Sequence, residues 1–276
     1  MNDIKEKNMN SKISKVWLSF AIYLAGYFAI MILLKNQSLA WLELEAFSLV
    51  VSLAMLIRHR LPSKKGIILS IIVTVLYGIS KIYSFNFFAI IQMLIMLLAA
   101  MACCSVFEKY KDNALIFIRN EKRKDMAVSI LIGIAAGIVM AFINYLLMKG
   151  SNQRAEPEYL KAFINSLSPA TMEEIALRSA FYAFCLDAAK GSITGKCEKF
   201  TSWFMMIVPH IIPHLMFDLS KGIEGIVQWI ITMILYILIF GLIFAILQRK
   251  RDIASAMLVH GIVDFIRFVL FGVPGL

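Results

Sequence analysis

The stretch TMEEIALRSAFYAF runs from Thr171 to Phe184. It sets Glu173, Glu174 and Arg178 inside a run otherwise apolar enough for a membrane helix. A charged side chain at the centre of a bilayer costs roughly 2.5–3.5 kcal/mol or more, so such groups are rare and tend to be functional. What two adjacent carboxylates do there depends first on whether their surroundings are membrane.

Composition answers that. The chain has 276 residues, of which 60% are hydrophobic, and its mean hydropathy is +0.78. A soluble domain averages roughly 45–50% apolar residues. The sequence therefore predicts an all-α, polytopic transmembrane helix bundle. The formal charge of +10 is then a topological signal, because Lys and Arg collect on the cytoplasmic side. It does not indicate nucleic-acid binding. Cys103, Cys104, Cys185 and Cys197 show no CxxC or zinc-finger spacing, which argues against a disulfide framework or a cysteine metal site. The first apolar run follows a polar segment and lacks a small-residue cleavage site, so it reads as a retained span.

A hydrocarbon core of about 30 Å needs about 20 apolar residues per helix. Nine candidate spans follow: 16–34, 40–57, 66–83, 86–106, 127–148, 169–187, 202–218, 225–247 and 253–273. Eight is the alternative, with one candidate re-entrant. With the N-terminus inside, 20 of the Lys and Arg residues fall in inner segments and 6 in outer ones. Arg178 and Arg267 lie within spans. This split predicts a cytoplasmic N-terminus and an outside C-terminus. The charged loop 107–126 divides the chain into a four-span region, 1–126, and a second region, 127–273, that holds nearly all the intramembrane chemistry.

Three polar motifs stand in that second region. In SPATMEEIALR, Ser168 can cap a helix and Pro169 suits its first turn. Glu174 and Arg178 are spaced i,i+4 and can pair on one face, which leaves Glu173 freer. In VPHIIPHLMFD, His210 and His214 are also i,i+4, while Pro209 and Pro213 each remove a helix hydrogen bond and should bend or open the helix. HxxxH is half of a metal-binding pattern, and it lacks the Glu of HExxH. In LVHGIVDFIRF, His260 and Asp264 are i,i+4, and Arg267 can pair with Asp264. Taken singly, each motif reads as well as a satisfied structural pair. Together they place three of the four histidines within spans, along with Glu173, Glu174 and Asp264, at similar depth by the rise of 1.5 Å per residue. Carboxylate and imidazole shielded from bulk water can activate a water molecule.

EEIALR (173–178), VPHIIPHL (208–215) and HGIVD (260–264), in that order and spacing, resemble the motifs of the CPBP family. These are the CAAX-protease and bacteriocin-processing intramembrane proteases, also called the Abi family. The stretch GLIFAILQRKRDIASAMLVHGIVDF is similar to the family's approach to its third motif. The resemblance covers about 127–273. It implies hydrolysis of a peptide bond within the membrane, with Glu173 as general base, Glu174 assisting and oriented by Arg178, and a second-motif histidine sharing the water. His260 and Asp264 would lie opposite, where the family is thought to stabilise the oxyanion.

The sequence departs from the family in two places. The second motif usually has Phe four residues before its histidine, but Met206 precedes His210, and His210 precedes His214. Leu215 favours His214. Asp264 stands where prenyl endopeptidases carry Asn, and an ionised Asp cannot donate to an oxyanion. It would orient His260 or stay protonated, with Arg267 supplying positive charge.

His214, His210, His260 and Glu173 could hold Zn²⁺ with an open position. The resemblance favours a glutamate mechanism that requires no cofactor. The implied substrate is a membrane-embedded peptide or protein, such as a leader, a bacteriocin or pheromone precursor, or a signalling protein. The implied setting is a bacterial plasma membrane, with no nucleic-acid partner; the sequence leaves the oligomeric state open. Two other readings compete: a non-catalytic membrane partner of the same family, such as a bacteriocin-immunity or scaffold protein, and a proton relay. Glu43 and Glu45 in the second span suit the relay, but no paired inverted halves are evident. GIAAG, Gly133–Gly137, is a small-xxx-small pattern suited to close helix packing.

Overall fold

The computed structural model describes residues 2–119, 122–150, 156, 158–217 and 219–272. Arg154, counted above among the outer cations, lies outside the described residues, and the side chains of Lys5, Lys7, Lys12 and Arg123 do too. The described chain is all helical, with no strand among the described residues. Its helices are α1 (Asn2–Leu33), α2 (Gln37–Arg58), α3 (Lys64–Ser80), α4 (Phe87–Lys109), α5 (Arg123–Met148), α6 (Tyr159–Ser168), α7 (Ala180–Ala188), α8 (Lys196–Ile211), α9 (Gly222–Tyr236), α10 (Leu242–Lys250) and α11 (Ile253–Phe271). A π-helical run, Pro169–Ser179, joins α6 to α7, and a shorter one, Ile237–Gly241, joins α9 to α10.

Local chemistry sets several boundaries. Asn36, Ser63, Asn86 and Asp252 each precede a helix and accept a hydrogen bond from a first-turn backbone N–H, satisfying donors with no partner inside the helix. Gly272 follows α11 at φ 86°, a left-handed conformation that glycine adopts without steric cost. The α10–α11 turn is tied to the loop after α4. Ile253 and Ala254 donate to the carbonyls of Ile116 and Phe117, both at 2.9 Å, and Arg119 Nε donates to Arg251 O at 2.9 Å.

Among the described residues, six helical segments are long and apolar enough to cross a membrane: Ile13–Leu33, Gln37–Arg58, Phe87–Lys109, Lys124–Met148, Gly222–Lys250 and Ile253–Phe271. The eight or nine spans expected from the sequence are therefore not confirmed. The other three candidates have helical counterparts that differ in kind. α3 is 17 residues long. The sixth candidate holds Glu173, Glu174 and Arg178, and nearly every residue of its π-helical run and of α7 is buried by protein. The seventh, α8, stops at Ile211 and passes into a tight 3₁₀ turn, Ile212–His214, containing Pro213. The last two are lined by other helices rather than by lipid, so hydropathy alone describes them poorly.

The main core draws on both sides of the 107–126 loop. Tyr27, Leu44, Met55, Met96 and Ala102 of α1, α2 and α4 share it with Ile175, Phe181, Leu186, Met206 and Ile212. A smaller core joins α5, α10 and α11 through Met140, Phe244, Val259 and Val263. The GIAAG glycines serve this second contact. A Cβ on Gly133 would come within 2.8 Å of Leu258, and one on Gly137 within 2.9 Å of Ile262. The small residues thus let α5 and α11 approach within the chain.

Candidate active site

The site forms where the Pro169–Ser179 run meets the end of α8 and the middle of α11. An α-helix turns about 100° per residue. The wider π turn reduces that step, so the adjacent Glu173 and Glu174 diverge less and both reach the histidines.

Glu174 is fully buried and fully engaged. Its Oε2 accepts from Arg178 Nε at 3.0 Å and from Gln248 Nε2 at 2.8 Å. Its Oε1 faces His260 Nδ1 at 2.8 Å. Gln248 Nε2 also lies 2.9 Å from the Glu174 carbonyl. Three donor side chains around one carboxylate offset the cost of burying it. Arg178 is equally committed. Beyond Glu174, its Nη1 donates to the carbonyls of Met206, at 2.9 Å, and Gly241, at 3.2 Å. Its guanidinium lies over the Phe244 ring, 5.5 Å from the centroid.

Glu173 is the open carboxylate, with its side chain 16% exposed. His210 Nε2 is in hydrogen-bond contact with Glu173 Oε2. His260 Nε2 lies 3.5 Å from that oxygen and His214 Nε2 lies 3.7 Å from it. The three imidazoles converge on one carboxylate oxygen. His210 is buried, whereas the His214 side chain is 30% exposed. The sequence favoured His214 as the second-motif partner, but it is His210 that contacts Glu173. His214 lies in the turn after Ile211, its ring 5.2 Å from that of His210 and facing the same carboxylate oxygen from further off.

The Arg178–His210 contact fixes a tautomer. Arg178 Nη2 lies 3.2 Å from His210 Nδ1. Arginine only donates, so Nδ1 accepts, and the ring proton sits on Nε2, directed at Glu173. This bears on metal binding. Glu173, His210 and His214 each offer a ligand atom, and these atoms lie within 4.8 Å of one another. Metal-bound histidines donate their other ring N–H to an acceptor. A zinc ion on His210 Nε2 would put a proton on Nδ1, facing a guanidinium N–H. His210 Nε2 is therefore ill suited to ligate zinc. His260, the fourth candidate ligand, directs Nδ1 to Glu174.

Asp264 is ion-paired as its spacing suggested, with Arg267 Nη2 at 2.8 Å from Oδ1. Its other oxygen is 3.5 Å from His260 Nε2. It is placed to orient His260. Three further residues shape the site without carrying a recognised motif. Gln248 binds Glu174. Phe244 stacks on His260 with centroids 4.6 Å apart. Trp41 of α2 stands edge-on to His214 at 4.7 Å. No sequence signal separates Trp41 or Phe244 from ordinary core aromatics; Gln248 shows only as a polar residue ending the apolar run GLIFAIL. Glu45 is not in the cluster; it accepts from Gln92 Nε2 at 2.7 Å.

Fold and site together define a polytopic helical membrane protein with a glutamate–histidine cluster inside its helices. Residues 155–266 match the family of type II CAAX prenyl endopeptidase Rce1-like proteins. All three motifs fall within the match, which bears out the resemblance to the CAAX-protease family. No curated protein and no solved structure matches the chain.

Proposed function

We propose that the protein is an intramembrane endopeptidase that hydrolyses a peptide bond of a membrane-embedded peptide or protein through a water activated at Glu173. The observation that carries this reading is the contrast between the two glutamates. Glu174 has no capacity left for substrate, whereas Glu173 is partly open and ringed by three imidazole nitrogens.

In this mechanism Glu173 takes a proton from water as the oxygen attacks the scissile carbonyl carbon. His210 holds Glu173 in place through its Nε2–H. The imidazole of His214 is positioned to donate to the oxygen that gains charge, and His260, whose Nδ1–H goes to Glu174, can join it from Nε2 as the imidazolium. Collapse of the tetrahedral intermediate breaks the C–N bond, and the proton held by Glu173 passes to the departing amine. Arg178, Glu174 and Gln248 position the catalytic groups without touching the substrate. No metal is needed, a reading supported by the donor that Arg178 presents to His210 Nδ1. The matched family's name specifies prenylated CAAX substrates; for this chain the proposal extends only to a membrane-borne peptide. The multi-pass chain is proposed to lie in a bacterial cell membrane with its N-terminus cytoplasmic.

The test is cleavage of a fluorogenic membrane-peptide library by purified protein in liposomes. Wild type should cleave and Glu173→Gln should not. Full activity in Glu173→Gln would overturn the mechanism.

A further inference from the structure

A groove of about 1220 Å³ lies on the outer face of α1 and α2, apart from the catalytic cluster. Its walls are apolar, with Leu18 and Ile22 on α1 and Phe47 and Val50 on α2. Along α2 it runs from Glu43 to Arg58, about 22 Å at 1.5 Å per residue. This exceeds half of a hydrocarbon core about 30 Å thick. The end at Arg58 carries Lys15, Arg58, Lys109 and Lys190 around a single carboxylate, Asp187.

Two of these cations, Arg58 and Lys109, are held in place. Asp187, whose side chain is only 6% exposed, binds Arg58 Nη1 at 3.0 Å and His59 Nε2 at 2.7 Å. Lys109 Nζ lies 3.1 Å from His59 Nδ1. Lysine only donates, so Nδ1 accepts and Nε2 carries the proton given to Asp187. One buried carboxylate thereby orders Arg58 directly and Lys109 through His59. The chain has assembled a cationic cradle at the mouth of an apolar trough.

We infer that this groove binds one phospholipid with an anionic headgroup, the phosphate seated among Arg58, Lys109, Lys15 and Lys190 and an acyl chain lying along Leu18, Ile22, Phe47 and Val50. Charge complementarity selects the headgroup, and the apolar trough selects a lipid over a soluble phosphate ester. The inference is independent of the chemistry at Glu173.

Native mass spectrometry of the delipidated full chain in detergent tests it, with phosphatidylglycerol, phosphatidylcholine and glycerol 3-phosphate as probes. Phosphatidylglycerol should bind at least about tenfold tighter than phosphatidylcholine, and glycerol 3-phosphate should not displace it. Each cation near a membrane surface contributes about fivefold, so Arg58→Gln with Lys109→Gln should weaken phosphatidylglycerol about 25-fold. Lys64→Gln with Lys65→Gln, at the same end of the bundle but outside the groove, should have little effect. Val50→Trp, at an exposed position, should block binding by filling the trough. Asp187→Asn separates an ordered cradle from bulk charge: it raises net positive charge, yet should weaken binding by releasing Arg58 and His59. Tighter binding in Asp187→Asn, an equal loss in the Lys64/Lys65 variant, displacement by glycerol 3-phosphate, or unaltered binding in Val50→Trp would each overturn the inference. Thermal unfolding of every variant identifies any loss that comes from misfolding.

Discussion

Arg178 Nη2 stands 3.2 Å from His210 Nδ1 and directs the proton on the opposite ring nitrogen towards Glu173. A guanidinium cannot accept a hydrogen bond, so this contact opposes any state of His210 that protonates Nδ1. Activity is therefore expected to survive strong chelators and to show no dependence on added Zn²⁺. Metal analysis of the purified protein should find less than stoichiometric zinc. Loss of cleavage with chelator, restored by Zn²⁺, would make the histidines ligands and refute the tautomer argument.

The two glutamates should respond oppositely to the same substitution. Glu173→Gln keeps an amide oxygen for His210 but removes the base, so kcat should fall by about 10²–10⁴ with a stability change below about 1 kcal/mol. Glu174→Gln puts an amide NH₂ among Arg178, Gln248 and His260, all of them donors. Breaking such a buried pair costs roughly 3–5 kcal/mol, so its melting temperature should drop sharply. Parallel activity and thermal-unfolding measurements in detergent read both effects.

The second-motif histidines should separate in the same way. His210→Ala removes the contact to Glu173 and leaves a buried Arg178 N–H unpaired, at about 1–3 kcal/mol. It should lose both activity and stability. His214→Ala removes a partly exposed ring beside Trp41. It should lower kcat while leaving the unfolding midpoint nearly unchanged. Equal stability losses would mean that His210 is not held as described.

Much of this arrangement is legible in the sequence because it is local. Glu174–Arg178 and Asp264–Arg267 are pairs within one helical turn, and both pairs form. α8 ends just before Pro213, as expected of a residue lacking an N–H donor, whereas Pro209 lies within α8 without ending it. What spacing could not supply is contact across elements. His210 meets Glu173 more closely than His214 does, and Gln248 meets Glu174 from 74 residues away. The span count is left unconfirmed for a related reason. Hydropathy measures suitability for lipid, and the Glu-bearing run is solvated by protein.

Gln248 supplies a prediction that no motif contained. It gives Nε2 hydrogens to the carboxylate and the carbonyl of Glu174, and Ser179 Oγ donates to its Oε1 at 3.0 Å. Gln248→Leu keeps the volume and removes these partners. It should cost about 1–3 kcal/mol and lower kcat by loosening Glu174, with KM little changed because Gln248 is remote from any substrate. Steady-state kinetics beside thermal unfolding would show whether it acts as a positioning group.

The α5–α11 contact tests whether distant packing holds His260 in place. At Gly133 the nearest obstacle to a Cβ is Leu258 Cδ2, the far end of a flexible side chain. At Gly137 it is Ile262 Cβ, a branch point fixed to the backbone. In Gly133→Ala a rotamer shift moves the Leu258 tip, and the remaining tight contact with Leu258 Cβ at 3.1 Å is offset by about 1 kcal/mol of helix propensity, so it should be near neutral. Gly137→Ala must push α11 itself and should cost about 1–3 kcal/mol through overpacking. Ile262 lies two residues from both His260 and Asp264, so the displacement should reach the catalytic cluster. Gly137→Ala is expected to reduce kcat as well as stability, and Gly133→Ala to spare both. Equal behaviour of the two alanine variants would show that α11 is not positioned by this contact.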